Sequence, residues 1–293
     1  METIDLINPL PPRKPEWLKV QLPRGEAYEN VKAHVKRLEL NTVCQEAMCP
    51  NLGECWGAGT ATIMILGDTC TRGCHFCNVK TGSPKGEVDW LEPKRVAEAV
   101  AELGWKYLVL TAVDRDDLAD GGAAIFAGTV RMIHKRVPGA KVECLTGDFA
   151  GDLAALDIVL DAQPEVLAHN LETVERLQPT VRDRRANYRQ SLGVLEHAKR
   201  SGKVTYTKTS LMLGLGETEA EIEQAMDDAR AIGVDIFTMG QYLQPTKRHL
   251  TVQEFVTPEK FARLKALGDS KGFVQVVASP LSRSSYHAEQ AFT

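Results

Sequence analysis

The sequence predicts an α/β fold, a partial (β/α)6 barrel of the TIM type with N- and C-terminal extensions. Two observations carry the prediction. Between residues 60 and 245, short apolar runs alternate with amphipathic helical segments of about 10–15 residues, the pattern of parallel βα units. Six such units make a partial barrel, since eight close a full one. The chain also has 293 residues, 43% of them hydrophobic, enough to bury a large core.

The elements follow in order. Residues 1–25 carry Pro9, Pro11, Pro12, Pro15 and Pro23 and read as an extended arm. Val31, Val35 and Leu38 fall at helical spacing and predict a helix over 26–40. Pro50, Gly53 and Gly57 break up 41–59, which reads as loop or short turns. The run Thr62-Ile-Met-Ile-Leu66, ending at Gly67, is a buried strand, and further strands are expected at 107–111, 141–145, 166–168, 204–213 and 235–239. Helices are expected at 93–103, 125–137, 188–200 and 218–232, the last with acidic residues early, where the helix dipole favours them. A further helix or turn begins at 153–156, and a helix at 258–267 and a strand at 273–277 follow the barrel. The implied division is an extension over 1–59, the barrel over 60–245 and a second extension over 246–293.

Net charge is −4, so no global basic field draws the chain to nucleic acid or to an anionic membrane. No run of 18 apolar residues exists, and Met1-Glu-Thr-Ile-Asp lacks a basic stretch leading into an apolar one. Neither a membrane span nor a signal peptide is expected, and the cytoplasm is the default location.

Six of the seven cysteines fall at 44, 49, 55, 70, 74 and 77, a window of 34 residues. In a long, core-rich chain with no export signal this clustering points to thiolates on metal rather than to a disulfide framework. Cys70-Thr-Arg-Gly-Cys74-His-Phe-Cys77 is C-x3-C-x2-C. Three thiolates on one tight loop can hold three irons of a cubane cluster, and the fourth iron stays open to a ligand that is not protein. A zinc loop is the alternative, although structural zinc prefers paired C-x2-C units. A helical face is another, but Gly67, Asp68 and Gly73 oppose a continuous helix. Cys144, inside an expected strand, reads as a small buried hydrophobe.

C-x3-C-x2-C with aromatic Phe76 before the last cysteine resembles the signature of the radical S-adenosylmethionine (SAM) superfamily. The first group, Cys44-Gln-Glu-Ala-Met-Cys49-Pro-Asn-Leu-Gly-Glu-Cys55, is C-x4-C-x5-C. Both groups in this order, followed by Arg283-Ser-Ser-Tyr286, resemble the lipoyl synthase family. The resemblance extends from Lys14-Pro-Glu-Trp17 to Tyr286 and includes Ala112-Val-Asp-Arg-Asp-Asp117, Asp120-Gly-Gly122, Val166-Leu-Ala-His-Asn170 and Leu213-Gly-Leu-Gly-Glu217.

The resemblance implies two [4Fe–4S] clusters, with SAM as co-substrate. Cys70, Cys74 and Cys77 would hold the cluster whose free iron SAM chelates, and its cleavage would yield a 5′-deoxyadenosyl radical. Such a radical removes hydrogen from an alkyl carbon that no acid or base can activate. Cys44, Cys49 and Cys55 would hold an auxiliary cluster with Ser285 as its fourth ligand, and that cluster would supply sulfur. The activity implied is insertion of two sulfur atoms, at C6 and C8 of a protein-bound octanoyl-lysine, at the cost of two SAM molecules. The implied partners are an octanoylated lipoyl carrier domain or the glycine-cleavage H protein, a ferredoxin or flavodoxin reductant, and iron–sulfur carrier proteins. Phe76, Gly121, Gly122, Asn170, Glu172 and Gly216 are the candidate SAM contacts. The glycines would let backbone approach the ligand, and Asn170 and Glu172 would face the ribose hydroxyls.

Arg182-Asp-Arg-Arg185 with Arg189 forms a basic cluster on a net-acidic chain. It reads either as a solvated helix face or as a docking patch for an acidic carrier domain. Two rival classes stay open at this point. One is another radical SAM enzyme whose auxiliary cluster only transfers electrons. The other is a non-catalytic zinc- or cluster-binding module.

Overall fold

The computed structural model describes residues 14–20, 25–285 and 288; most of the arm expected at 1–25 lies outside them, as do Tyr286 and His287. Helix α1 (Glu26–Arg37) buries Val31 and Val35. A two-residue strand β1 (Asn41–Thr42) and two short helices follow, α2 (Val43–Glu46) and α3 (Leu52–Gly57). These helices occupy the stretch expected to be loop or short turns. The Thr42 hydroxyl caps α2 by accepting from Gln45 N–H at 3.4 Å, and buried Cys44 and Trp56 anchor the pair. Helices this short leave no periodic trace, so only the cap and the burial reveal them.

The βα units then begin. Strand β2 (Thr62–Ile65) is buried throughout. The two-residue strands β3 (Thr69–Cys70) and β4 (Lys80–Thr81) pair in parallel beyond its C-terminal end. Helix α4 (Glu92–Leu103) opens with Pro93 in its first turn and stops at left-handed Gly104, φ 66°. There follow β5 (Tyr107–Ala112), α5 (Ala123–Arg136), β6 (Lys141–Leu145), α6 (Leu153–Leu160), β7 (Val166–Ala168), the short α7 (Gln178–Val181), α8 (Tyr188–Ser201), β8 (Tyr206–Leu213), α9 (Glu219–Ala231) and β9 (Ile236–Gln241). Thr218 and Glu221 form a reciprocal capping box at the start of α9. Helix α10 (Pro258–Ser270) and strand β10 (Gln275–Ala278) come last.

The main sheet runs β1-β2-β5-β6-β7-β8-β9-β10. Every neighbouring pair is parallel except β1 with β2, which is antiparallel with Asn41 opposite Met64. The six strands expected between 60 and 245 are therefore the parallel centre, and β1 and β10 extend it from the two flanking regions. Among the described residues the two edges are not joined by hydrogen bonds. One apolar core packs α1, α4 and α5 against β2, β5 and β6 through residues such as Val35, Val100 and Phe126. A second packs α8, α9 and α10 against β8 and β9 through Leu195, Met226, Phe237 and Phe261. Cys144 is fully buried in β6.

A buried ion pair sits inside the sheet. Lys208 Nζ on β8 lies 3.0 Å from both carboxylate oxygens of Glu143 on β6, and the Tyr107 hydroxyl donates to Glu143 at 2.6 Å. Both charged side chains are buried. Removing one partner strands the other charge, which costs about 3–5 kcal/mol, whereas a matched apolar pair avoids the penalty. Glu143→Ala should therefore lower the urea stability by that amount, and Glu143→Leu with Lys208→Met should recover most of it; circular dichroism across a urea titration reads both.

Candidate active site

The C-terminal ends of the parallel strands open into one cavity of about 520 Å3, a volume suited to a small ligand. Cys70, Cys74 and Cys77 line it from a loop that starts on β3 and returns on β4. The loop is bound on every side. Gly82 N–H donates to Cys70 O at 2.9 Å, and Thr71 N–H to Asp114 O at 2.9 Å. Gly73 N–H donates to Asp183 Oδ2 at 2.9 Å, and His75 N–H to Val181 O at 2.9 Å.

Arg72, between the first two cysteines, is the centre of this arrangement. It is buried, its Nε and Nη2 grip the Asp116 carboxylate at 2.9 and 2.7 Å, and Nη2 also reaches Asp148 at 2.8 Å. Asp116 follows β5 and Asp148 follows β6, so one guanidinium joins the loops of three consecutive strands. Hydrogen bonds from Arg72 hold the Asp116 carboxyl below its usual range. Asp114, 3.8 Å from Arg72 at the cavity wall, is pushed up to about 6 by burial, with Arg72 opposing and Asp148 and Asp116 adding to the rise.

The opposite wall comes from the chain after β7. His169 Nδ1 lies 2.9 Å from Thr146 O and Nε2 lies 2.8 Å from Ser191 Oγ. A carbonyl can only accept, so Nδ1 carries the proton and Nε2 accepts from Ser191, whose oxygen in turn accepts from Arg182 Nη1 at 2.8 Å. Burial, with the Arg182 charge, takes the imidazole down to about 4, which keeps it neutral in this relay. Both ring nitrogens are engaged, and Asn170 and Glu172 are left to face the cavity. Asn170 Nδ2 donates to Glu172 Oε1 at 3.1 Å, while among the described residues Asn170 Oδ1 is buried without a partner, as is Thr146 Oγ1. Glu172 has φ 67°, a left-handed backbone rarely taken by a non-glycine residue and found where a site over-determines it. Its N–H donates to Ser210 O at 3.0 Å and its carbonyl accepts from Met212 N–H at 2.9 Å, so β8 holds it there.

The segments that flank the barrel on either side meet at the same cavity. Cys49 lines it, with Arg283, Ser284 and Ser285. Cys44 lies buried beneath, and Cys55 stands in α3, outside the cavity lining. Asn51 Nδ2 donates to Leu281 O at 2.7 Å, which ties the first cysteine group to the C-terminal segment. That segment crosses β9 at Gly240, where a Cβ would stand 1.9 Å from Ser282 O. Asn78 Nδ2 donates to Glu46 O at 2.8 Å and joins the two cysteine groups.

No cysteine forms a disulfide. Burial pushes the Cys74 thiol up to about 11 and Cys77 up to about 12, and raises Cys44, Cys49 and Cys70 as well. The protein alone therefore leaves them protonated, and a bound cation is what would make them thiolates. The donors fit an iron–sulfur cluster with a polar organic ligand beside it: three thiols on one cavity wall and unpartnered Asn170 Oδ1 and Thr146 Oγ1 on the other.

Phe76, Asn170 and Glu172 line the cavity with the second cysteine group; Gly121, Gly122 and Gly216 do not. The groups close to Gly121 and Gly122 are side chains of the fold. A Cβ on Gly122 would lie 2.2 Å from Leu66 Cδ1, and one on Gly121 2.9 Å from Phe149 Cδ1. Gly216, φ 104°, offers its carbonyl to Arg176 at 2.9 Å. The basic cluster is also not a free patch. Arg182 is buried in the relay, Arg185 pairs with Asp183 at 2.8 Å and Asp116 at 3.1 Å, and Arg189 pairs with Glu175 at 2.8 Å; only Arg184 of the run is exposed without a partner among the described residues.

Comparison with known proteins decides the family. A sequence profile of the Radical SAM superfamily matches residues 64–229, and one for the N-terminal domain of lipoyl synthase of the radical SAM family matches residues 3–49. The chain is 60% identical to lipoyl synthase of Thermus thermophilus over 97% of its own length and 88% of that protein's. The chain belongs to the lipoyl synthase family. It is 58% identical to a chloroplastic lipoyl synthase 1 of Populus trichocarpa, over 96% of this chain and 76% of that one. Streptococcus suis SuiB bound to S-adenosylmethionine shares the fold at a TM-score of 0.58 and 11% identity, over 85% of this chain and 54% of that one. Membership in the lipoyl synthase family makes the chain a radical SAM sulfurtransferase that works with a [4Fe–4S] cluster and SAM. No helix among the described residues is long and apolar enough to cross a membrane.

Arg72→Lys keeps the charge but cannot form the fork to Asp116 and Asp148, since an ammonium lacks the guanidinium's planar donors. We expect it to cost about 2–3 kcal/mol of stability and to lower the iron held at Cys70, Cys74 and Cys77, read by iron and sulfide analysis in a Cys44→Ala/Cys49→Ala/Cys55→Ala background.

Proposed function

We propose that the protein inserts two sulfur atoms, at C6 and C8, into an octanoyl chain amide-linked to a lysine of a carrier protein. The observation that carries this reading is the convergence of Cys49, the second cysteine group and Ser285 on one cavity. Bound there, SAM with its cluster supplies hydrogen removal from an unactivated carbon, and an auxiliary [4Fe–4S] cluster supplies the sulfur.

Cys70, Cys74 and Cys77 would hold the first of these clusters, and Cys44, Cys49 and Cys55 with Ser285 would hold the second. Asn170 and Glu172 bind hydroxyl groups of the SAM ribose, and Phe76 forms an apolar wall beside them. Phe76 itself packs against the cluster of Val181, Leu215, Tyr242 and Val252, which supports its fixed position. Arg182 places a buried positive charge near Glu172 and offsets part of the cost of burying that carboxyl. A serine oxygen is a harder donor than a thiolate, so Ser285 would give a cluster held there one attachment weaker than those of the cysteines. The carrier is a lipoyl domain of a 2-oxoacid dehydrogenase complex or the glycine-cleavage H protein. A ferredoxin or flavodoxin delivers electrons, and iron–sulfur carrier proteins restore the consumed cluster. We place the reaction in the cytoplasm.

Anaerobic reconstitution should give about eight irons per chain, falling to about four in the Cys44→Ala/Cys49→Ala/Cys55→Ala variant. About four in both proteins, or zinc without sulfide, contradicts the reading. Ser285→Cys should keep all the iron yet lose sulfur insertion into an octanoyl-lysyl peptide; undiminished turnover would show that the weaker serine bond is not used.

A further inference from the structure

Leu243, Gln244 and Pro245 line the cavity, and the chain then turns outward through Thr246, Lys247 and Arg248. The turn is fixed at both ends. Gln244 Nε2 donates to His249 O at 2.8 Å, and the Tyr242 hydroxyl donates to Leu250 O at 2.8 Å. His249 Nε2 lies 3.0 Å from Cys77 O, so it carries the proton, and Nδ1 accepts from the Thr246 hydroxyl at 2.9 Å. Arg248 N–H closes the tip onto Thr246 Oγ1 at 3.3 Å.

Lys247 and Arg248 are exposed on this braced tip, two and three residues past the cavity wall. Among the described residues neither side chain has an ion-pair or hydrogen-bond partner. Arg176, Arg185 and Arg189, by contrast, are all spent on neighbouring carboxylates. Lys14 adds an exposed cation that lines the same cavity, and the cavity wall also includes Val20 and Met48, 44% and 61% exposed. Unpaired surface cations contribute little to stability. On a chain of net charge −4, a cationic rim is a local reversal of sign that attracts and orients an acidic partner.

We propose that the 246–248 turn, with Lys14, is the docking surface for an acidic protein that passes an acyl-lysine arm into the cavity over Val20 and Met48. The acyl-lysine part of this statement rests on the function proposed above. The surface differs from the arginine run at 182–189, whose charges, Arg184 apart, are consumed within the fold.

The test compares wild type with Lys247→Glu/Arg248→Glu on two substrates, an octanoylated acidic carrier protein and a short neutral octanoyl-lysyl peptide. The carrier KM should rise on the order of tenfold, while peptide KM and kcat stay unchanged. Salt should raise the wild-type carrier KM and leave that of the variant nearly flat. A carrier KM that moves less than twofold, or a peptide KM that moves with it, overturns the proposal. Calorimetric binding of the same carrier separates this surface from the chemistry. Salt-sensitive binding lost in the variant, with no sulfur product from wild type, would sustain the docking surface and sink the reaction. Equal binding by both proteins would overturn the docking surface.

Discussion

A single guanidinium decides whether the cysteine loop has a shape. Arg72 sits in the chain between Cys70 and Cys74, yet its hydrogen bonds go to Asp116 and Asp148, carried by the ends of two different strands. An arginine buried this deeply is tolerated only when its donors are met, and the carboxylates in turn need the cation. The two demands are satisfied at one position of the loop. The thiols follow from that position, and so do Thr71, which bonds the chain just after β5, and Gly73, which bonds Asp183 just after α7. The loop is short of regular structure and still rigid, because its order is borrowed from the barrel.

The same dependence extends outward in steps. The cysteine loop holds the 178–185 segment through Asp183 and Val181, and this segment carries Arg182 into the Ser191–His169 relay. Asn78, one residue past the last cysteine of the loop, reaches the first cysteine group, and Asn51 within that group reaches the C-terminal segment. Each link is a hydrogen bond, from the backbone N–H groups of Gly73 and His75 or from the side chains of Arg182, Ser191, Asn78 and Asn51. The cavity is therefore assembled by polar links laid over a barrel that is stabilised separately by its two apolar cores.

The barrel was legible in the sequence because its signals are periodic. Apolar runs such as 62–66 and 141–145 and the capped helices between them repeat often enough to give strand count and direction. The second cysteine group stands out by its spacing and its place after a strand, whereas the cluster reading of the first group, with Ser285, Asn170 and Glu172, came from resemblance. What stayed hidden is whatever depends on contacts distant in sequence. Asp114, Asp116 and Asp148 look like ordinary loop acids until Arg72 lies among them. Arg182 looks like a surface charge until the chain folds it inward. Gly121 and Gly122 signal a close approach, but a glycine does not say which group approaches. The left-handed backbone of Glu172 leaves no mark in the sequence at all.

The hydrogen bond from Asn51 to Leu281 joins residues 230 apart in the chain. Contacts of that separation form late, since the loop they close is long and nothing local rewards the closure beforehand. The βα units, each made of neighbours in sequence, can be in place well before it. Gly240 adds an order of events, because the segment at 282 can settle over β9 only after β9 has joined the sheet. The cysteine loop after β2, tied to Asp183 and His249, and the wall with Cys49 and Ser285 both wait for contacts distant in sequence. A chain stopped before Leu281 would keep its βα units and leave the Cys49 side of the cavity without the segment that meets it.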